Sequence, residues 1–123
     1  MELLKLDDRP AEFKIGDVTI YYRTMVSIGD RHSVINAGTT YEGDRIGFRP
    51  WELYSKLIQV FVTGWSGVTD NGKPVAYSYD TLMNRLPADM TRDIVTSLGL
   101  EIAKKNGFVP DEKTDQAADL KNG

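Results

Sequence analysis

A chain of 123 residues and 13.8 kDa favours a single domain, long enough to bury roughly two-thirds of its unfolded surface and to fold without metals or disulfides. Hydrophobic residues make up 41% and charged residues 27%, which argues against wholesale disorder, and the lack of cysteine excludes disulfides, thiolate metal sites and cysteine nucleophiles. Fifteen basic residues against 18 acidic ones give a net charge of −3, so no basic field exists to drive nucleic-acid binding.

The start of the chain, Met1 to Asp8, has no basic region, apolar core or small-residue cleavage site of a secretory signal. No run of about 18 apolar residues follows anywhere. The expectation is an intracellular, cytoplasmic protein with no membrane span. Leu3 to Leu6 reads as a possible strand, with Asp7-Asp8-Arg9-Pro10 as its turn.

The first firm element is a hairpin over residues 12–26. Phe13 and Ile15 alternate with Glu12 and Lys14; Val18, Ile20 and Tyr22 alternate with Thr19, Tyr21 and Arg23. Gly16-Asp17 between them is a turn signal, because glycine supplies the positive φ that tight hairpins need. Ser27 to Ala37 reads as a short helix, with Ser27 and Asp30 close to a capping arrangement. Gly38 to Gly47 holds three glycines and reads as a loop.

Pro50 opens the clearest helix, since proline suits the first helical turn. Tyr54, Leu57, Ile58, Phe61 and Trp65 recur at helical spacing, and Trp51, Leu53, Val60 and Val62 widen the apolar arc. Only Glu52, Lys56, Gln59 and Thr63 form a polar stripe. So broad an arc implies burial from two sides: either the helix is central to the core, or part of it faces another subunit. Gly64 to Pro74 then breaks the helix, with Asp70-Asn71-Gly72 as a turn. Ser78 is the N-cap of a helix through Leu82, Met83 and Leu86. Pro87 opens the last helix, whose face carries Met90, Ile94, Leu98 and Ile102. Gly99 inside it marks a close crossing, and Gly107 a C-terminal stop. Residues 1–107 form one globular domain. Residues 108–123, with two basic and four acidic groups, form a flexible acidic tail. Strands first and helices after make the fold α+β, a small antiparallel N-terminal sheet packed on a C-terminal helical region.

Little in the chain points to catalysis. Gly67 to Lys73 matches the first seven positions of a phosphate-binding loop, but Pro74 stands where Ser or Thr must hold magnesium, and the loop leaves a helix rather than a strand. The reading is a turn-rich connector. His32 is the only histidine, and its neighbour Ser33 cannot serve as its relay partner. Asp7-Asp8 and Asp111-Glu112 read as solvated pairs. We expect no enzyme, no cofactor and no metal. The aromatic residues offer more. Trp51, Tyr54, Ile58 and Val62 on the central helix, with Tyr77 and Tyr79 in the turn-rich segment, are the candidate protein-binding residues. Trp65, Gly64, Gly67, Gly72 and Pro74 are read as structural.

The order of elements from Trp51 to Met90 carries a resemblance. An apolar helix is followed by Val62-Thr-Gly-Trp-Ser-Gly-Val68, then Asp70-Asn-Gly-Lys-Pro74, then Tyr77-Ser78, a Leu82 helix and Leu86-Pro87. This resembles the tail assembly chaperones of long-tailed bacteriophages and prophages, over about a third of the chain. The resemblance implies a non-enzymatic protein of the host cytoplasm that binds the tape measure protein, and the tail tube subunit, before the tube polymerises. It implies absence from the finished particle. It is also compatible with self-association. The alternatives are a head–tail connector or tail-completion protein that stays in the particle, a small enzyme, or an interaction domain unrelated to phage.

Overall fold

The computed structural model describes residues 1–3 and 10–108. The strand expected over Leu3 to Leu6 apart from Leu3 itself, most of the turn after it, and the tail from Val109 onward lie outside the described residues. The described residues are 45% helical and 26% strand, an α+β fold with a small antiparallel sheet near the start and helices in the C-terminal half.

The hairpin forms as β1 (Ala11–Ile15) and β2 (Val18–Tyr22), so its strands end at Tyr22 rather than near residue 26. Ile15 faces Val18 across the two-residue Gly16-Asp17 turn, and Gly16 takes φ +55°. Helix α1 spans Ile28–Ala37, with the Ser27 hydroxyl accepting from the Asp30 N–H at 3.1 Å.

The segment Gly38 to Gly47 is not a loop. It forms a second hairpin, β3 (Thr39–Glu42) and β4 (Arg45–Phe48), turning through Gly43-Asp44 with Gly43 at φ +61°. Three glycines had suggested irregular chain. One of them, Gly43, is the turn; another, Gly47, lies inside a strand, where a Cβ would collide with the Thr40 hydroxyl opposite.

Helix α2 covers Pro50–Phe61, and the chain then passes without a loop into β5 (Val62–Ser66). The helix therefore stops short of the expected Trp65. β5 pairs antiparallel with β2, giving the sheet order β1-β2-β5. The reason for the misreading is a bulge. Tyr22 faces Val62 and Tyr21 faces Gly64, so Thr63 is the extra residue. The bulge resets the alternation, and Val62 and Trp65 both turn to the face shared with Ile20 and Tyr22. Apolar residues three apart then mimic a helical period inside a strand.

The rest follows the sequence closely. Thr69–Asp70 (β6) and Lys73–Pro74 (β7) form a miniature hairpin over Asn71 and Gly72, both at positive φ. Helix α3 (Tyr79–Asn84) is capped by Ser78, which accepts from the Thr81 N–H at 3.0 Å. Helix α4 runs from Ala88 to Lys105, and Gly107 follows its end at φ +74°.

The core lies where the inner face of β1-β2-β5 meets α2 and α4. Ile20, Tyr22, Leu57, Ile58, Phe61, Ile94, Leu98 and Ile102 are all at most 1% exposed there. Gly99 marks a close crossing, as its spacing suggested: a Cβ on it would stand 2.7 Å from that of Tyr54. Two polar clamps hold the C-terminal end of α4. The Tyr22 hydroxyl donates to Glu101 at 2.7 Å and accepts from Lys105 at 2.9 Å. Arg31 on α1 donates to the Asn106 carbonyl at 2.8 Å and stacks 4.4 Å over the Phe108 ring. Phe108, which the sequence reading places in the tail, thus packs on the domain.

Candidate binding surface

In β3–β4, Thr39 faces Phe48 and Tyr41 faces Ile46. Residues opposite one another and two apart share a face, so these four side chains line one side of the hairpin. The other side carries Thr40, Glu42, Arg45 and Gly47. The first side has the alternation of a half-buried strand pair, yet Tyr41 is 68% exposed, Ile46 75% and Phe48 56%. No helix covers it among the described residues. Trp51, 42% exposed, comes three residues after Phe48 in the first turn of α2. On the neighbouring α1, Ile28 and Ile35 are also exposed.

The hairpin stands on the tips of two helices. Gly38 alone joins α1 to β3, and Arg49 alone joins β4 to α2. The Arg49 N–H donates to the Gly38 carbonyl at 2.9 Å, closing the base. Gly38 sits so close to Leu53 that a Cβ on it would lie 2.8 Å from the Leu53 Cβ.

The residues expected to bind a partner divide. Trp51 is exposed, as that role requires. Ile58 and Val62 are not available: Ile58 is fully buried, Val62 is 7% exposed, and both belong to the chain's own core. The broad apolar arc of α2 is covered internally, by α4, α1 and the sheet, which share one core with it. Tyr54 is half-buried at the Gly99 crossing. Tyr77 is half-buried too. Its ring meets that of Trp65 edge-on at 5.1 Å and 81°. Its hydroxyl is buried without a hydrogen-bond partner among the described residues, and burial pushes its pKa up to about 12. Tyr77 is a packing residue rather than a surface anchor.

Tyr79 is half-buried and lines an open groove of about 420 Å³ between α2 and α3, with Trp51, Ser55, Lys56, Gln59 and Met83. Burial raises its pKa, and the nearby Ser55 hydroxyl opposes that shift.

The structural residues sit as follows. Trp65 pairs with Ile20 across the sheet, and its indole N–H donates to the Val75 carbonyl at 2.7 Å. Gly67, at φ +90°, approaches the Asp17 carbonyl so closely that no side chain fits. Gly72 closes the β6–β7 turn, and Pro74 faces Thr69. Gly64 sits beside the bulge, where a Cβ would make only ordinary contact with Tyr21 at 3.9 Å.

Tyr41, Ile46 and Phe48 were missed as site candidates because their segment read as a loop. A signal was present: Gly43-Asp44 repeats the Gly16-Asp17 turn, between alternating residues of the same kind. His32 is exposed on α1. Among the described residues no helix is long and apolar enough to cross a membrane, and no three His, Asp or Glu side chains cluster to hold a metal. No family model matches the chain, and no curated protein or solved structure is significantly similar to it.

Proposed function

We propose that this protein is a tail assembly chaperone of a long-tailed phage or prophage, a non-enzymatic carrier that shields an apolar, helical client in the host cytoplasm. The client is the tape measure protein, with the tail tube subunit as a second partner, and the carrier leaves before the particle is finished. The observation that carries this reading is the bare apolar side of β3–β4. Tyr41, Ile46 and Phe48, with Trp51 beside them, give a chain of negative net charge an exposed apolar docking face of the kind that marks an interaction site. A helix with an apolar stripe can bury that stripe against the apolar side of a sheet, a layer packing that recurs in stable folds. The order of motifs from Trp51 to Met90 supports the identity of the client.

Co-expression with the tape measure protein tests the proposal. Gene order locates that client as a very long helical reading frame downstream, with the tube gene upstream. The expected result is a soluble complex that Phe48→Ser and Tyr41→Ser weaken together. A tape measure that stays insoluble in the presence of the chain, or a complex that both variants leave intact, refutes the reading. Mass spectrometry of purified particles separates it from a connector, which stays in the virion.

A further inference from the structure

Among the described residues the hairpin β3–β4 is a sheet of only two strands, and neither of its outer edges is paired. Such a pair is marginal in water and gains from further strands. Natural sheets guard their edges with charges, prolines or bulges. The others here do so: β1 carries Glu12 and Lys14, β5 carries the Thr63 bulge, and β7 carries Lys73 and Pro74. Along β3 and β4 the only charges are Glu42 and Arg45, which face each other at the tip.

The bond from the Arg49 N–H to the Gly38 carbonyl fixes the phase of the ladder. Hydrogen-bonded pairs alternate with non-bonded ones in antiparallel strands. Counting from Gly38 and Arg49, Thr40–Gly47 and Glu42–Arg45 are bonded pairs, and Thr39–Phe48 and Tyr41–Ile46 are not. The N–H and C=O groups of Ile46 and Phe48 therefore point outward along the β4 edge. The same residues carry the exposed apolar side chains.

We infer that the β4 edge pairs with β4 of a second copy of this chain, antiparallel about a two-fold axis at Ile46. Two registers place outward backbone groups opposite one another and keep the apolar sides together. One centres on Gly47 and sets Arg45 directly against Arg49 of the other copy, a repulsive pairing. The other centres on Ile46. It sets Arg45 against Gly47 and Asp44 against Phe48, so that no like charges are opposed. The β3 edge offers only one exposed apolar residue, Tyr41, with outward backbone groups, against Ile46 and Phe48 on β4. A two-fold axis makes one edge complementary to itself. The product is a four-stranded sheet with a continuous apolar side, Tyr41–Ile46–Ile46–Tyr41 across its middle. The pairing rests on backbone geometry and charge, and stands whether or not the chain carries a phage client.

Sedimentation velocity of the full chain across a dilution series tests it. The expected result is a dimer of twice the 13.8 kDa chain mass, dissociating on dilution. Ile46→Lys places two like charges at the axis and should abolish the dimer. The circular dichroism melt checks that this variant stays folded. A second variant reads the register without relying on disruption. The chain has no cysteine, so Ile46→Cys supplies a single thiol. Opposed residues of a hydrogen-bonded pair lie about 5.5 Å apart at Cα, within disulfide range. Ile46→Cys should cross-link to itself on mild oxidation, and Phe48→Cys should not. A monomer at all concentrations overturns the inference. So does a dimer that survives Ile46→Lys, or a chain in which Phe48→Cys cross-links and Ile46→Cys does not. Addition of a foreign strand at the edge in place of a second copy would appear as a heavier complex of unequal chains, and also overturns it.

Discussion

The two main hairpins of this molecule are built to one plan and end in opposite circumstances. Both turn through Gly-Asp, and both set apolar side chains on one side and polar ones on the other. The first gains β5 as a third strand and is roofed by α2 and α4, so Ile20 and Tyr22 are 1% exposed. The second gains nothing, and Ile46 is 75% exposed. Local pattern makes a hairpin; connectivity decides whether it is covered. Phe61 leads straight into β5, which returns the chain to the first sheet, while the side chains of Tyr41, Ile46 and Phe48 on the second hairpin stay exposed.

Substitutions can break or sharpen this contrast. The largest effect belongs to the covered side. Phe61→Ala removes a fully buried ring and should cost about 4 kcal/mol, read from urea denaturation. A cost under about 1 kcal/mol would mean that the sheet is not sealed as described. Trp65→Ala comes next, at about 3 kcal/mol, because the ring is only half-buried but also holds Val75 and Tyr77. An unchanged melting temperature would make Trp65 a surface residue.

Tyr77 tests the covered side from another direction. Its hydroxyl is buried unpaired, so Tyr77→Phe should stabilise the fold by about 1 kcal/mol near neutral pH. The pH dependence has a definite sign. The folded pKa of about 12 lies above the ordinary value of 10.0. Above pH 10 the unfolded chain ionises first, so stability is complete below that pH and falls as pH rises toward 12. Tyr22, raised chiefly by burial, and Lys105, raised chiefly by its bond to Tyr22, act in the same direction. Alkaline melts of Tyr77→Phe should therefore show a shallower decline than the parent, and an identical slope would refute the assignment. The smallest effect belongs to the bare side. Phe48→Ala should change the stability of the isolated subunit by no more than about 0.5 kcal/mol, although it removes as large a ring as Phe61→Ala. A loss comparable to that of Phe61 would show that the second hairpin is covered after all.

Much of this architecture is legible in the residues. The Gly16-Asp17 turn, the Ser27 and Ser78 caps, the start at Pro50, the Asn71-Gly72 turn and the crossing at Gly99 are all local signals, and each has the predicted geometry. The two departures differ in kind, one non-local and one local. The helix overran because Thr63 bulges, and a bulge is fixed by the partner strand, not by the bulged one. The second hairpin was lost because glycine count was weighed above alternation. The candidate site was less legible still. Nothing in the spacing of Ile58 and Val62 tells whether the covering layer is the same chain or another molecule, and the structure assigns it to the chain's own core.

The mounting of the second hairpin has a thermodynamic consequence. Its strands grow from α1 and α2 through one residue each, Gly38 and Arg49, which are bonded to each other and packed on Leu53. No linker remains to be ordered when something settles on that surface. Binding there should resemble rigid docking, with a heat-capacity change accounted for by the apolar area buried and no added signature of coupled folding. Replacing Gly38 by a bulkier residue would push against Leu53 and tilt the hairpin, converting a preset grip into one that must be reassembled at each encounter.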